Sequence, residues 1–554
     1  MRPSVLAVVT IVLARATPGI ALWPQPTSLQ TGSSTLLLAP NFNIKVSIPH
    51  APSDLTDAVT RTKQYLQNDK LERLVVGRGA ADVSALTKAK SLSSLTLQLN
   101  PGATVRSITA EAQVALEDRD EAYALTVPSD GSGAVISANS TLGLFRGLTT
   151  FGQLWYYSGG IVYAINQPTQ IKDAPAYPYR GFMLDTARNF FSVSDIQRTL
   201  DAMSWVKINT FHWHVVDSQS FPLEVPGYTD LAQKGAYSAS SVYSPSDVAS
   251  IVSYAGARGI DVLVEIDTPG HTSAIAAAHP EHIACADATP WSDFANEPPA
   301  GQLRLASPAT ANYTAGLLAA TAKMFPSTMF STGGDEINVN CYTQDGPTQQ
   351  ILNSTGQTLG QALSKFTQTT HGALEALGKT PVVWEEMVLD YNVTLSPKTV
   401  VMVWISSLDA AAVATAGFRM VHSPSDYFYL DCGAGGWVGD YPAGNSWCEP
   451  FKTWQKAYSF DPLANLTADQ HKLVLGGQQL LWTEQSGPQN LDSIAWPRAA
   501  ASAEIFWSGA GGDGDAALPR LHDIGYRFRQ RGVDAIPLQP EWCALRPGVC
   551  DLTA

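Results

Sequence analysis

After Tyr179 the sequence settles into short apolar runs that alternate with helical stretches, and this alternation restricts the fold more than any other feature of the chain. The runs begin at Gly181-Phe182-Met183-Leu184, Asn209-Thr210-Phe211-His212 and Val262-Leu263-Val264-Glu265, and continue with Met329-Phe330-Ser331, Val382-Val383-Trp384, Val400 to Trp404, Phe418 to Val421 and Lys472 to Gly476. Helix signals separate them. Ser194-Asp195-Ile196-Gln197 reads as a capping box ahead of Ile196, Leu200 and Met203, and Ser244-Pro245 caps a helix that Gly259 closes. Eight such units predict an α/β chain forming a (β/α)8 TIM barrel, a fold of roughly 250 residues plus insertions.

The barrel accounts for residues 174–554 with a C-terminal extension, so a first unit is expected over residues 22–173. There Ser94 to Leu99, Tyr123 to Val127 and Ala134 to Ala138 pattern as strands, and Asp54 to Gln67 and Leu142 to Leu154 as helices, which gives a smaller α+β domain. Asn166-Gln167-Pro168 through Asp173-Ala174-Pro175 reads as a linker, because its prolines discourage either regular structure. Residues 1–21 read as a secretory signal: Arg2, the apolar run Val5 to Leu13, then small residues.

Chemistry gathers at the ends of the barrel strands. The first ends in Asp185-Thr186-Ala187-Arg188, the second in His212-Trp213-His214 and Asp217, and the third in Glu265-Ile266-Asp267 through His271. The fourth ends in Gly333-Gly334-Asp335-Glu336, the fifth in Trp384-Glu385-Glu386 and the sixth in Trp404; Asp426 to Asp431 follows the seventh and Leu481-Trp482-Thr483-Glu484 the eighth. In a barrel these ends share one mouth. Acids, one arginine and several tryptophans around a mouth suit a sugar, whose CH face stacks on aromatic rings and whose hydroxyls take charged partners. Two adjacent acids in a strand would face opposite ways, so Gly333-Gly334 is read as the break that lets both serve.

Asp-Thr-Ala-Arg-Asn-Phe-Phe (185–191), His-Trp-His-Val-Val-Asp-Ser-Gln-Ser-Phe-Pro (212–222), Asp-Thr-Pro-Gly-His-Thr (267–272) and Gly-Gly-Asp-Glu (333–336) resemble the family 20 glycoside hydrolases, the β-N-acetylhexosaminidases, and among them secreted fungal-type members. The similarity runs on through Leu-Trp-Thr-Glu (481–484) and residues 496–504, and back to Arg146-Gly147-Leu148 in the first unit. It implies an exo-acting, retaining hydrolase that releases terminal β-linked GlcNAc, and GalNAc as well, from chitin oligomers or glycans, with the sugar's own acetamide oxygen as nucleophile. Glu336 would be acid and base, Asp335 would hold the acetamide N–H and Tyr429 its oxygen, while His271 and Asp217 would relay to Glu336. Arg188, Asp431 and Glu484 would hold the sugar hydroxyls, and Trp384, Trp404 and Trp482 would wall the pocket. Ser218 departs from relatives that carry a second acid there. The alternative class is a lectin-like binding protein without turnover, in which an acid at Glu336 would have no purpose.

His212 and His214 read as buried braces of the rim, and the sequence does not decide what Glu265, Glu385 and Glu386 do. A glycine-rich stretch, Gly433 to Trp437 with Tyr441-Pro442, is expected beyond the eighth strand between Cys432 and Cys448, as either a lid or a surface loop. Six cysteines without a metal-binding spacing, Cys285, Cys341, Cys432, Cys448, Cys543 and Cys550, predict sequential disulfides, and Asn139, Asn312, Asn353, Asn392 and Asn465 are candidate glycosylation sites; both fit a secreted, extracellular protein. A formal net charge of −14 argues against nucleic acid or an anionic membrane as partner. No cofactor or metal is expected, and homodimerisation is implied by the resemblance alone.

Overall fold

The computed structural model describes residues 20–442 and 444–553, so the signal-peptide reading lies outside the described residues except for its last two positions. Eight parallel strands close a barrel in chain order: Tyr179–Asp185, Thr210–Val216, Asp261–Ile266, Met329–Ser331, Thr380–Trp384, Val400–Val403, Arg419–His422 and Val474–Leu481. Each apolar run named above is one of them. The strands are buried on both faces, which is why they read as continuous apolar runs rather than alternating ones. Helices such as Val193–Trp205, Pro245–Gly256, Pro308–Ala322 and Leu359–Glu375 separate them. The eighth strand closes on the first with Leu480 opposite Met183. At that seam Gly476 is obligatory, since a Cβ there would lie 1.8 Å from the Tyr179 carbonyl oxygen.

The structure corrects several local readings. The first barrel helix is capped by Ser192, not Ser194: its hydroxyl accepts from the Asp195 N–H, and Asp195 returns the bond to complete the box. The eighth strand begins at Val474, because His471–Leu473 forms a 3-10 turn. The Cys432–Cys448 loop precedes that strand and follows the seventh. Asn166 to Asp173 is no linker but the end of a long strand, Ile161–Asp173. Pro168 is tolerated at a register break where Gly32 faces it, and a Cβ on Gly32 would meet the Gln167 oxygen at 2.4 Å.

That strand belongs to a six-stranded sheet, in which it also pairs with Ser28–Val46, Tyr123–Val127 and Tyr156–Ser158; Lys90–Leu99 and Ala134–Ala138 complete it. The helix Thr141–Gln153 packs on the sheet and carries Arg146 into the seam with the barrel. There Glu121 accepts from Arg146 Nε at 2.7 Å and from Arg180 Nη2 at 2.6 Å, while Lys207 Nζ lies 2.9 Å from Asp173 Oδ2, all of these side chains being essentially inaccessible. Burial alone would raise the Glu121 carboxyl, but the Arg180 and Arg146 charges hold it at about 2. Arg180 and Lys207 precede or open the first two barrel strands, so the seam lies at the end opposite the mouth.

Disulfides join Cys285 to Cys341, Cys432 to Cys448 and Cys543 to Cys550. The first ties the loop after the third strand to the loop after the fourth. All five sequon asparagines are exposed. Among the described residues no helix is long and apolar enough to cross a membrane.

Candidate active site

The fourth strand stops after three residues, and the chain then turns through left-handed conformations at Gly333, Gly334 and Glu336, with φ of 63°, 105° and 52°. Glycine is needed here for space as well as for conformation. A Cβ on Gly333 would lie 1.9 Å from Asp267 Oδ1, and one on Gly334 would lie 2.5 Å from Met387 Cγ. The freed Gly334 N–H donates to Asp267 Oδ1 at 2.8 Å. A positive φ at glutamate is uncommon and carries strain of the kind found at functional sites.

Asp335 and Glu336 open onto a pocket of about 390 Å³ lined also by Arg188, His271, Trp384, Trp404, Tyr429, Asp431, Trp482 and Glu484. Of the residues given catalytic or sugar-binding roles in the sequence, Asp217 alone stands back from the pocket, behind His271. Trp404 lies parallel to Tyr429 with ring centres 6.2 Å apart, and Trp384 tilts against Trp482 at 6.3 Å. These four rings make an apolar enclosure beside the two acids.

Behind Glu336 runs a ladder of alternating carboxylates and imidazoles. His271 Nε2 lies 3.3 Å from Glu336 Oε2, and its Nδ1 lies 3.1 Å from Asp217 Oδ1. Asp217 Oδ2 is 2.7 Å from His214 Nε2, and His214 Nδ1 is 2.5 Å from Glu265 Oε1. Glu265 also pairs with His212 Nε2 at 3.0 Å and accepts from the Ser331 hydroxyl. Strand geometry explains the placement. His212 and His214 are two residues apart on the second strand and so share the inward face, whereas Trp213 between them packs outward on Tyr243 and Phe325. Glu265 sits opposite His214 in register, and a bulge between His214 and Val216 turns Asp217 toward the mouth. Burial disfavours charge on His214, but its bonds to Asp217 and Glu265 raise it to about 10, so both ring nitrogens donate. His271 is likewise held well above its usual value against burial by Asp217 and Asp335. His271 in turn holds Glu336 below the ordinary carboxylate range despite burial. The two histidines read as braces therefore also connect the barrel interior to Glu336.

Asp335 has a second partner that the sequence reading passed over. It hydrogen-bonds with Asp267, and burial together with the Asp335 charge pushes Asp267 well above the usual range. Burial raises Asp335 as well, so the two carboxyls titrate as a pair that favours one shared proton. Glu297, on the long loop after the third strand, also went unnoticed. It accepts from Arg188 Nε at 3.0 Å and from Nη2, and Gln219 Nε2 donates to it at 3.1 Å. Arg188 Nη1 lies 2.9 Å from Asp217, its Nη2 4.0 Å from Glu484, and its guanidinium over Trp482. Sugar hydroxyls can reach the fork on this side only by taking the place of Glu297. Asp217, His271 and Glu297, and likewise Asp267, His271 and Asp335, bring ligand-type atoms within 4.8 Å of one another. In the first set the atoms are already ion-paired with one another or with Arg188.

The Cys432–Cys448 loop lies over the pocket, so of the two expectations, lid or surface loop, the structure supports a wall at the site. Trp437, Val438, Tyr441 and Trp447 line the opening, with Tyr441 76% and Trp447 65% exposed. The residues just before the two cysteines, Asp431 and Trp447, both border the pocket, so this disulfide fixes two of its walls at once.

A closed parallel barrel whose strand ends surround an acid pair and an aromatic-walled pocket defines a glycoside hydrolase. The family model described as "Glycosyl hydrolase family 20, catalytic domain" matches residues 177–510, and one described as "beta-acetyl hexosaminidase like" matches residues 22–154. A β-hexosaminidase of Arthroderma benhamiae is 31% identical over 96% of this chain and 97% of its own. A chitooligosaccharidolytic β-N-acetylglucosaminidase of Bombyx mori is 34% identical over 96% of this chain and 89% of its own. The chitobiase structure from Flavobacterium johnsoniae superposes with a TM-score of 0.73 at 25% identity, covering 93% of this chain and 73% of that one. The chain belongs to glycosyl hydrolase family 20, the β-N-acetylhexosaminidases.

The carboxyls of the site give stability a definite pH dependence. Burial raises Asp431 to about 7, and burial with neighbouring acids raises Glu386 to about 8 and Glu385 to about 9. These groups favour the folded state while protonated, so their contribution is complete below about pH 4, where the unfolded carboxyls also hold protons, and is lost progressively from there until pH has passed 7 to 9. Glu121, Asp217 and Glu265 are depressed instead, and their contribution is lost on acidification below about pH 4. Thermal unfolding followed across pH should give the highest Tm at about pH 4 to 5 and a fall that begins there and continues toward about pH 9; a Tm that keeps rising to pH 9 would contradict these assignments.

Proposed function

We propose that the enzyme removes terminal, non-reducing β-linked GlcNAc, and GalNAc as well, from chitin oligomers or glycans outside the cell, using the substrate's acetamide as nucleophile. The observation that carries this reading is the placement of Asp335 and Glu336. They are adjacent residues of one turn, whereas an acid and a protein nucleophile normally flank the bond from opposite sides. Among four aromatic rings, Asp335 can instead receive an acetamide N–H, with Tyr429 donating to the acetamide oxygen, as that oxygen attacks the anomeric carbon. Asp335 would stabilise the charge that develops on nitrogen. Glu336 would protonate the leaving oxygen, with His271 beside it to resupply the proton, and would later take a proton from water. Arg188, Asp431 and Glu484 would hold the hydroxyls of the terminal sugar. Burial pushes Glu484 well above the usual carboxylate range, which makes it able to donate as well as accept. The three disulfides and five exposed sequons support an extracellular location. Relatives named for chitooligosaccharides support the substrate class.

The test is a matched pair of aryl β-glycosides, one with acetamido and one with hydroxyl at carbon two. The first should turn over at mildly acid pH and the second should not. Comparable hydrolysis of the two would reject the mechanism.

A further inference from the structure

Trp384-Glu385-Glu386 ends the fifth strand with two glutamates that the mechanism above does not use. Both are directed at the same neighbour. Glu385 Oε2 accepts from the backbone N–H of Trp404 at 2.8 Å, and Glu386 Oε2 accepts from the Trp404 indole Nε1–H, also at 2.8 Å. One tryptophan is thus held at its main chain and at the far edge of its ring by consecutive residues of the adjacent strand end. All of these groups are buried. Trp404 follows the sixth strand directly and stands where three walls meet: parallel to Tyr429, edge-on to Trp447 at 5.5 Å, and facing the pocket. With its ring fixed this way the pocket has a set depth beside Asp335.

We infer that Glu386 and Glu385 are positioning residues that set the depth of the acyl end of the pocket by fixing Trp404, and through it determine how long an N-acyl group the enzyme accepts. The inference rests on the reading of the pocket as an acetamide site. Glu385 is itself braced. Burial, with the Asp409 carboxyl as neighbour, raises it to about 9, so its bond to the Trp404 N–H is the one that fixes it. The charged or titratable groups around Glu386 are Asp335 and Glu336 from the fourth strand end, Glu385 beside it, Tyr391 and Tyr429.

The experiment compares aryl β-glycosides of N-acetyl and N-butyryl glucosamine on the wild type, Glu386→Ala, Glu386→Gln and Trp404→Phe. Without an acceptor for the indole N–H, Glu386→Ala should raise KM for the acetyl substrate about tenfold with kcat changed much less, and should narrow the acetyl-to-butyryl preference about tenfold. Glu386→Gln keeps an acceptor and should restore both. Trp404→Phe keeps a ring without the N–H and should narrow the preference similarly, with no further narrowing when combined with Glu386→Ala. If Glu386→Ala fails to fold, Glu386→Gln and Trp404→Phe still decide. A preference in Trp404→Phe equal to wild type, or a Glu386→Gln enzyme as lax as the alanine variant, overturns the inference. A wild type that turns over no β-GlcNAc glycoside would sink the functional reading instead, whereas an active wild type matched by Glu386→Ala in acyl preference sinks only this one.

Discussion

Replacing Glu336 with glutamine should lower kcat by roughly 10² to 10⁴ on substrates whose leaving group needs a proton, such as chitobiose, the usual worth of a general acid. The same variant should lose far less on an aryl glycoside with an acidic phenol, at least in the step that breaks the glycosidic bond. The geometry gives the reason. Glu336 is the acid that reaches the pocket from a strained turn, and His271 Nε2 stands 3.3 Å from its Oε2. Glutamine keeps the shape of the side chain and still offers His271 an acceptor, so the defect should be chemical and not structural. Steady-state rates on a series of phenols of graded acidity measure it: the variant's rates should depend more steeply on leaving-group pKa than those of the wild type. Equal losses across the series would remove Glu336 from the acid role.

Asp335→Asn should be comparably severe, costing on the order of 10² to 10³ in kcat, the scale of removing one preorganised electrostatic partner of a transition state. Asp335 would serve as the anion of a buried pair in which Asp267 is pushed well above the usual carboxylate range and Asp335 is raised as well. Asparagine abolishes that charge and leaves Asp267 facing a neutral amide, so the acetamide loses both its orientation and the stabilisation of its growing positive nitrogen. Unlike Glu336→Gln, the loss should be independent of leaving group. A near-normal rate for Asp335→Asn on any substrate would show that the acetamide needs no carboxylate.

The contrast between these variants mirrors what could be read from residues alone. Strand ends were legible because fully buried parallel strands leave uninterrupted apolar runs, and the fold itself then gathers distant motifs at one rim. Arg188, Trp482 and Glu484 could be grouped with Asp335 for that reason alone. The ladder from Glu336 to Glu265 was not legible as a ladder. Period-two spacing places His212 and His214 on one face, but cannot say whether that face meets apolar side chains or a glutamate from the next strand. Glu297 had no signal at all: it lies in a long irregular loop, and only the folded chain brings it onto Arg188. Ser28–Val46 and the end of Ile161–Asp173 escaped notice because polar residues, Gly32 and Pro168 interrupt their pattern, while the pairing that rescues them is non-local.

The ion pairs between the first unit and the barrel bear on how much of this molecule can be cut away. Arg180 and Lys207 come from the barrel, whereas Glu121 and Asp173, which neutralise them, come from the first unit. A catalytic fragment excised near residue 174 would leave Arg180 and Lys207 to be rehydrated without their carboxylates and would bare Trp507, which packs in the core of the first unit, so it should be less stable than the whole chain.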